Sequence, residues 1–415
     1  MNDNYYFGRY HTVNECENKI EITSTLSFST ITLLEDDYIQ AFQALVRGET
    51  CEKADLIQAL LDIGALFESK DQEHLSCEVR KKELQALAEQ QLLITILPTE
   101  KCNFRCWYCY EDFKCGQMTL DVQDKVKSFV AHLMDQSQSQ SLQINWFGGE
   151  PLLAPSVIRN LSVYFQGFCK EKQVLYSAQM TTNGYLLDLD CAKEMYGLGV
   201  NTFQITLDGA RHDENRILLN GEGTSEKILK NIQEIANSEM EITVVLRNNI
   251  SKGQDDREFY RRIARLIKDD PRFVLTPFFV GEWGGQQEAV FECLKTEAEM
   301  KEYTKTLNAL FSELGLRNFE SEKSTNPLQC ICPCCYPNAY VVRSDGKLNR
   351  CTLALDEDMN HVGDLNNGVN SRDRYWRNSI ADHFRQGNKQ FFDMRSHDCA
   401  YRKYRRALCE QDAGR

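Results

Sequence analysis

Three cysteines within eight residues, Cys102, Cys106 and Cys109, stand at C-x3-C-x2-C spacing. The thiolate is the metal-binding form of cysteine, and a [4Fe–4S] cube ordinarily takes four of them. Three local thiolates can hold such a cube while leaving one iron open to a ligand, much as a catalytic zinc keeps one position free. A structural zinc would need a fourth Cys or His at short spacing; Cys115 is near, but nothing in the sequence places it in the same turn. A second group, Cys330, Cys332, Cys334, Cys335, Cys351, Cys399 and Cys409, occupies the last fifth of the chain. The total of 17 cysteines is odd, and the opening MNDNYYFGRY has no basic stretch followed by an apolar one. A full disulfide framework is therefore disfavoured, metal ligation is favoured, and a cytoplasmic location is expected. Cys16, Cys51, Cys77, Cys115, Cys169, Cys191 and Cys293 read as small buried hydrophobes.

The elements that must position these thiols are legible from periodicity. From residue 92 the chain alternates strand and helix. Strands are predicted at Leu92–Leu97, Leu142–Phe147, Tyr176–Thr182, Thr202–Leu207, Ile242–Asn248 and Phe273–Val280. Amphipathic helices are predicted at Leu120–Met134, Ser156–Lys172, Asp190–Leu198, Ser225–Ala236, Asp256–Ile267 and Thr296–Leu314. Such βα repeats imply parallel strands joined by right-handed crossovers, with chemistry at the carboxyl ends of the strands. The Cys102 group follows the first strand, Gly148–Pro151 the second, Asn183–Gly184 the third and Asp208–Gly209 the fourth. Each is ordinary turn chemistry alone, but together they fall at one mouth.

These residues resemble the radical S-adenosylmethionine (SAM) superfamily. The resemblance rests on Cys102, Cys106 and Cys109 with Tyr108 before the last, on Gly148-Gly149-Glu150-Pro151, on Thr182-Asn183-Gly184, and on Leu207-Asp208-Gly209 with His212-Asp213 and Arg216. It covers about residues 92–290. It implies an α/β fold with a partial (β/α)6 radical SAM barrel, a [4Fe–4S] cluster whose unique iron binds SAM, and a 5′-deoxyadenosyl radical that abstracts hydrogen. It further implies cofactor contacts at Tyr108, Gly148, Gly149, Glu150, Asn183, Thr206 and Arg216. Glu150 and the turn's backbone suit the methionine ammonium, Tyr108 the adenine, and Asn183, Thr206 and Arg216 the ribose or the methionine carboxylate.

In the tail, Cys330-Ile-Cys332-Pro-Cys334-Cys335 followed by Gly346 and Cys351 resembles the opening of a SPASM domain, which holds auxiliary [4Fe–4S] clusters. The turn Ser344–Lys347 suits a hairpin between Tyr340–Arg343 and Leu348–Arg350. The second half departs from the pattern: position 402, where a further cysteine is sought, is Arg402. At least one auxiliary cluster is expected, preferably on Cys332, Cys335, Cys351 and Cys409, with Cys330, Cys334 and Cys399 as alternatives. Zinc also suits a cysteine-rich hairpin.

Residues 1–90 read as an α+β unit, with strands at Ile20–Thr23 and Thr25–Leu33 and helices at Asp36–Arg47, Ala54–Ile63 and Glu73–Gln91. Their order resembles the winged-helix-like peptide-recognition element found ahead of radical SAM maturases of ribosomally made peptides. The domains are thus drawn as 1–90, 91–320 and 321–415, the last an Fe–S domain. A length of 415 residues supports several cores, since one usually stops growing near about 250–300 residues. With 48 Lys and Arg against 61 Asp and Glu, the net charge of −13 argues against general nucleic-acid binding. The absence of about 18 consecutive apolar residues argues against a spanning helix. The function expected is a radical SAM maturase installing a thioether, ether or C–C crosslink, or a similar oxidative change, in a precursor peptide that carries a leader. Its electron donor would be a flavodoxin or ferredoxin. An anaerobic sulfatase maturase is the nearest alternative, and an Fe–S electron carrier or zinc-stabilised binding module is one of another class.

Overall fold

The computed structural model describes residues 5–16, 19–24, 26–27, 29–280, 296–318, 332–353 and 355–377. By compactness the chain divides into one unit of residues 1–89, 324–337 and 374–415 and a second of residues 90–323 and 338–373.

In the first unit, β2 (His11–Cys16), β3 (Lys19–Ser24) and β4 (Thr30–Leu33) form an antiparallel sheet in the order β2-β3-β4. The predicted strand from Thr25 starts only at Thr30, because Ser24 Oγ accepts the N–H groups of Leu26 and Ser27 and turns the chain there. Ile20 and Ile22 of β3 share a core with Phe42 of α1 (Asp36–Val46) and with Leu56 and Leu60 of α2 (Ala54–Asp62). Strand β1 (Tyr6–Phe7) pairs with β5 (Leu66–Phe67), and α3 (Lys70–Glu89) follows. Alternation along β3 is what the buried Ile pair requires, and β2 leaves Val13, Asn14 and Glu15 exposed on the outer strand.

The second unit is built on a parallel sheet whose strands run in chain order. They are β6 (Gln91–Ile96), β8 (Ser141–Trp146), β9 (Leu175–Thr182), β10 (Val200–Leu207), β12 (Thr243–Ile250) and β13 (Phe273–Phe279). The crossovers are α4 (Leu120–Gln136), α5 (Pro155–Lys172), α6 (Leu189–Gly197), the one-turn α7 (His212–Asn215) with α8 (Ser225–Ala236), and α9 (Arg257–Ile267), with α10 (Glu297–Leu314) after β13. The helices start where side chains satisfy free amides: Thr119 and Asp188 cap α4 and α6, and Thr296 with Glu299 forms a capping box at α10. One face of the sheet, with Ile144, Ala178, Phe203, Val244 and Leu246, is fully buried. The other is polar and half-buried, with Asn145, Gln179, Gln204 and Arg247 on it. This is the predicted six-fold βα arrangement, a partial barrel.

Short β7 (Phe104–Cys106) and β11 (Arg216–Leu218) pair antiparallel at the mouth, a ribbon the sequence reading did not anticipate. The tail hairpin of β14 (Ala339–Val342) and β15 (Lys347–Asn349) forms as expected, and β14 pairs in parallel with β6, so the hairpin extends the barrel sheet. Strands β16 (His361–Asp364) and β17 (Gly368–Val369) complete it.

Candidate active site

All four motif turns lie at the carboxyl ends of the parallel strands. Cys102 follows β6, and the β7–β11 ribbon carries Cys106 opposite Arg216 in register. The three thiols influence one another electrostatically. Burial pushes Cys102 and Cys109 up to about 12 and raises Cys106 too, so each is a neutral thiol until a metal replaces its proton. Phe104 N–H donates to Cys102 Sγ at 3.4 Å, the kind of bond that tunes a cluster thiolate. Among the described residues no three His, Cys, Asp or Glu side chains converge on a single ion. The ligands of a four-iron cube are spread more widely than those of one ion, and three thiols on one loop suit the cube.

The Gly148–Pro151 turn packs under this loop. Gly148 adopts φ of +114°, and a Cβ on Gly149 would fall 2.4 Å from the Lys101 carbonyl oxygen and 2.7 Å from that of Glu100. Gly149→Ala should therefore push the cysteine loop aside at a cost of ~1–3 kcal/mol. Iron content after anaerobic reconstitution should fall with it, and a variant with native iron content and melting temperature would contradict this reading.

Glu150 is 0% exposed, and its carboxylate is already occupied. It accepts from Leu152 N–H (3.0 Å), Thr182 Oγ1 (2.8 Å) and Asn183 N–H (2.7 Å), which tie the end of β8 to the end of β9. Burial raises its pKa and these three bonds oppose the rise. The carboxylate thus holds the turn in place. Asn183 donates from Nδ2 to Asn103 Oδ1 at 2.8 Å, with Cys102 Sγ at 4.0 Å, and so braces the first cysteine.

Tyr108, which the sequence reading set against adenine, points its hydroxyl into a polar knot. That hydroxyl donates to Asp208 Oδ1 (2.8 Å) and accepts from Arg216 Nη1 (2.8 Å) and Asn249 Nδ2 (2.9 Å). Asn215 Nδ2 donates to Asp208 Oδ2 at 3.2 Å, while its Oδ1 accepts from Trp107 Nε1 at 2.8 Å. Burial raises the Asp208 pKa against the opposing Arg216 charge. Arg216 is 7% exposed, lies over the Phe104 ring at 5.7 Å, and keeps its buried Nε without a partner. Such an orphaned donor on a buried cation calls for an anionic ligand. Thr206 is buried at the end of β10, next to Arg247 in register.

Sequence reasoning quoted Asp208 and His212 within a motif but gave them no role, and it missed Asn249, Asn215 and Trp107. His212 is 2% exposed. Its Nδ1 accepts from Asp208 N–H (3.1 Å), so Nε2 carries the proton and donates to Thr224 Oγ1 (2.9 Å), which donates to the Arg216 carbonyl (2.7 Å). Burial, helped by the Arg216 charge, pushes its pKa down to about 3. Above the unfolded value of about 6.5 both states are neutral and His212 contributes no pH dependence. Below it the unfolded chain binds a proton that the folded chain refuses until about pH 3, so stability falls by about 1.4 kcal/mol per pH unit. Urea unfolding should show this component costing about 2 kcal/mol at pH 5 relative to pH 7, and His212→Gln should lack it. Equal pH slopes in the two proteins would count against it.

Of the tail cysteines, Cys332, Cys334 and Cys335 gather on one 3-10 turn, Pro333–Cys335, with Sγ separations of 3.2 Å for Cys332 to Cys334 and 3.9 Å for Cys334 to Cys335. Cys351 is buried after β15, where Leu353 N–H donates to its sulfur at 3.4 Å and Asn360 Oδ1 accepts from its N–H at 2.8 Å. Cys330, Cys399 and Cys409 lie outside the described residues.

Residues 96–266 match the Radical SAM superfamily. The chain carries a radical SAM domain. GTP 3′,8-cyclase from Campylobacter jejuni (strain RM1221) is 30% identical over 188 residues, 44% of this chain and 54% of that protein, so the chain spans about half the length of this relative. GTP 3′,8-cyclase from Peptoclostridium acidaminophilum is 27% identical over 307 residues, 67% of this chain and 85% of that protein. The solved structure of native anSMEcpe with bound AdoMet and Cp18Cys peptide shares the fold at a TM-score of 0.55 and 17% identity, covering 70% of this chain and 83% of that one. A domain matching this superfamily implies SAM and a [4Fe–4S] cluster, and the residues present fit both. Three mutually close thiols follow β6, a glycine turn leaves room for main-chain approach, and a buried guanidinium offers a free donor suited to the SAM carboxylate. No described helix is long and apolar enough to cross a membrane.

Proposed function

We propose that this radical SAM enzyme modifies a ribosomally made precursor peptide, forming a crosslink or a similar oxidative change. When bound, cluster and SAM supply a radical able to take hydrogen from an unactivated carbon. The chain's own residues orient and enclose. Cys102, Cys106 and Cys109 would hold the cluster, Glu150 and Asn183 fix the turns beside these thiols, and Arg216 would receive the SAM carboxylate through Nε. Cysteines of the tail, with Cys332, Cys334 and Cys335 together on one turn, would serve an auxiliary [4Fe–4S] cluster, and a small electron-transfer protein would supply the reducing electron.

The observation that carries the peptide reading is the β2-β3-β4 sheet of the first unit, whose outer strand β2 has no further strand beside it among the described residues. An exposed edge of this kind accepts a leader as an added strand. The fold shared with anSMEcpe, whose solved form holds a peptide, supports the same reading. The relatives named GTP 3′,8-cyclase favour a second one, in which a nucleoside triphosphate is the substrate.

Anaerobic turnover with SAM and reductant tests the two. The full chain should release 5′-deoxyadenosine faster with its precursor peptide, sought among short reading frames next to its gene, and the peptide should lose the mass of a hydrogen pair or gain an equivalent oxidative mark. Stimulation by GTP alone, with the peptide unchanged, would overturn the peptide reading.

A further inference from the structure

The inner wall of the parallel sheet holds one cation that the site described above does not use. Arg247 lies on β12 in register with Thr206 of β10 on one side and Thr276 of β13 on the other. Its Nε donates to Asn249 Oδ1 at 3.0 Å, and its guanidinium lies 3.8 Å from the centre of the Phe278 ring. These contacts fix the plane of the group. No carboxylate forms an ion pair with it among the described residues, since Asp208 is committed to Tyr108, Asn215 and Asn249. Beside it the buried Thr276 Oγ1 also lacks a partner. A partly desolvated cation next to an unused hydroxyl is costly unless an anion arrives. Burial accordingly lowers the Arg247 pKa.

We infer that Arg247 and Thr276 form a subsite on the inner wall of the half-barrel that takes one carboxylate of the substrate, an Asp or Glu side chain of the peptide. This rests on the peptide reading above. The wall itself argues for a single carboxylate in a peptide. Arg247 is the one charged residue on the inward faces of the six parallel strands, too little for a triphosphate. On the adjacent strand Gln204 shares this face, and farther along the same wall Gln179 and Asn145 present amides that match a peptide backbone. The fork of Arg247 fits a carboxylate at two points, and the Phe278 ring holds it flat.

The test presents the anaerobically reconstituted, SAM-loaded full chain with a library of short randomised peptides and reads the retained sequences. Asp and Glu should be enriched at one position by about tenfold over Asn and Gln. Arg247→Met should abolish that preference, Arg247→Lys should restore only part of it, and Thr276→Val should weaken it. SAM affinity should stay unchanged in all three. Thr276→Val keeps the proposal falsifiable if Arg247→Met does not fold. Retained peptides without an acidic position would overturn the subsite and leave the peptide reading standing. A parallel loss of SAM affinity in Arg247→Met would assign Arg247 to the cofactor and overturn it as well. Retention of no peptide, with GTP bound instead, would overturn both the subsite and the peptide reading.

Discussion

Replacing Cys102, Cys106 and Cys109 together by alanine is expected to bring 5′-deoxyadenosine formation down to background. Absorbance from the proposed tail cluster should survive in the same protein. The thiols sit on the loop after β6 and on the β7–β11 ribbon, and their removal deletes the ligands without touching the sheet core. Buried thiols held neutral in the metal-free chain contribute little charge to folding, so melting temperature before reconstitution should change only modestly. A triple variant that still cleaved SAM would show that the cluster is held elsewhere. A variant that lost all iron, tail included, would show that the two cysteine groups do not act as separate centres.

The second large effect is expected at Arg343, which follows β14. Its Nε and Nη2 donate to the two carboxylate oxygens of Glu100 at 3.0 and 2.6 Å. Nη1 donates to Asp356 Oδ1 at 2.6 Å and to the Leu355 carbonyl at 2.9 Å. Arg343 is 3% exposed and Glu100 2%. Burial disfavours the guanidinium charge, but the bonds to Glu100 and Asp356 outweigh it and hold the pKa above the ordinary arginine value. Such a pair adds little net stability compared with apolar residues of the same volume, yet breaking it strands a buried charge. Arg343→Met should therefore destabilise the chain by ~3–5 kcal/mol in urea unfolding. Adding Glu100→Gln to it should recover part of the loss. Glu100 stands two residues before Cys102, and its carbonyl packs against Gly149, so the single variant should also take up less iron. A loss below about 1 kcal/mol would mean that water reaches Glu100 and the pair acts as a surface bridge.

What could be read from the sequence was whatever repeats or clusters locally. The six strands and their helices were legible because alternating apolar runs and amphipathic spacing recur between turn signals, and their ends fall within two residues of expectation. The thiols of Cys102, Cys106 and Cys109 were legible for the same reason, since eight residues carry the whole ligand set. Strands β7 and β11 were not, because a three-residue strand has no period and its partner lies about 110 residues away. The Arg343–Glu100 pair spans 243 positions, and nothing local marks either residue. Glu150 shows a different limit. Its motif suggested a carboxylate facing the methionine ammonium, but the fold buries that carboxylate under three donors that only tertiary contact reveals. Arg247 was passed over because one arginine in a β-branched strand reads as an edge or surface residue until its register is known.

Mössbauer spectroscopy of protein reconstituted anaerobically with isotopically enriched iron, before and after SAM, probes the open iron most directly. If three thiolates of the Cys102 loop hold a [4Fe–4S] cube, adding SAM should alter the signal of a single iron of that cube, and the Cys102/Cys106/Cys109 alanine variant should show no such change. A spectrum with no four-iron cluster at this loop, or one that SAM leaves untouched, would contradict it.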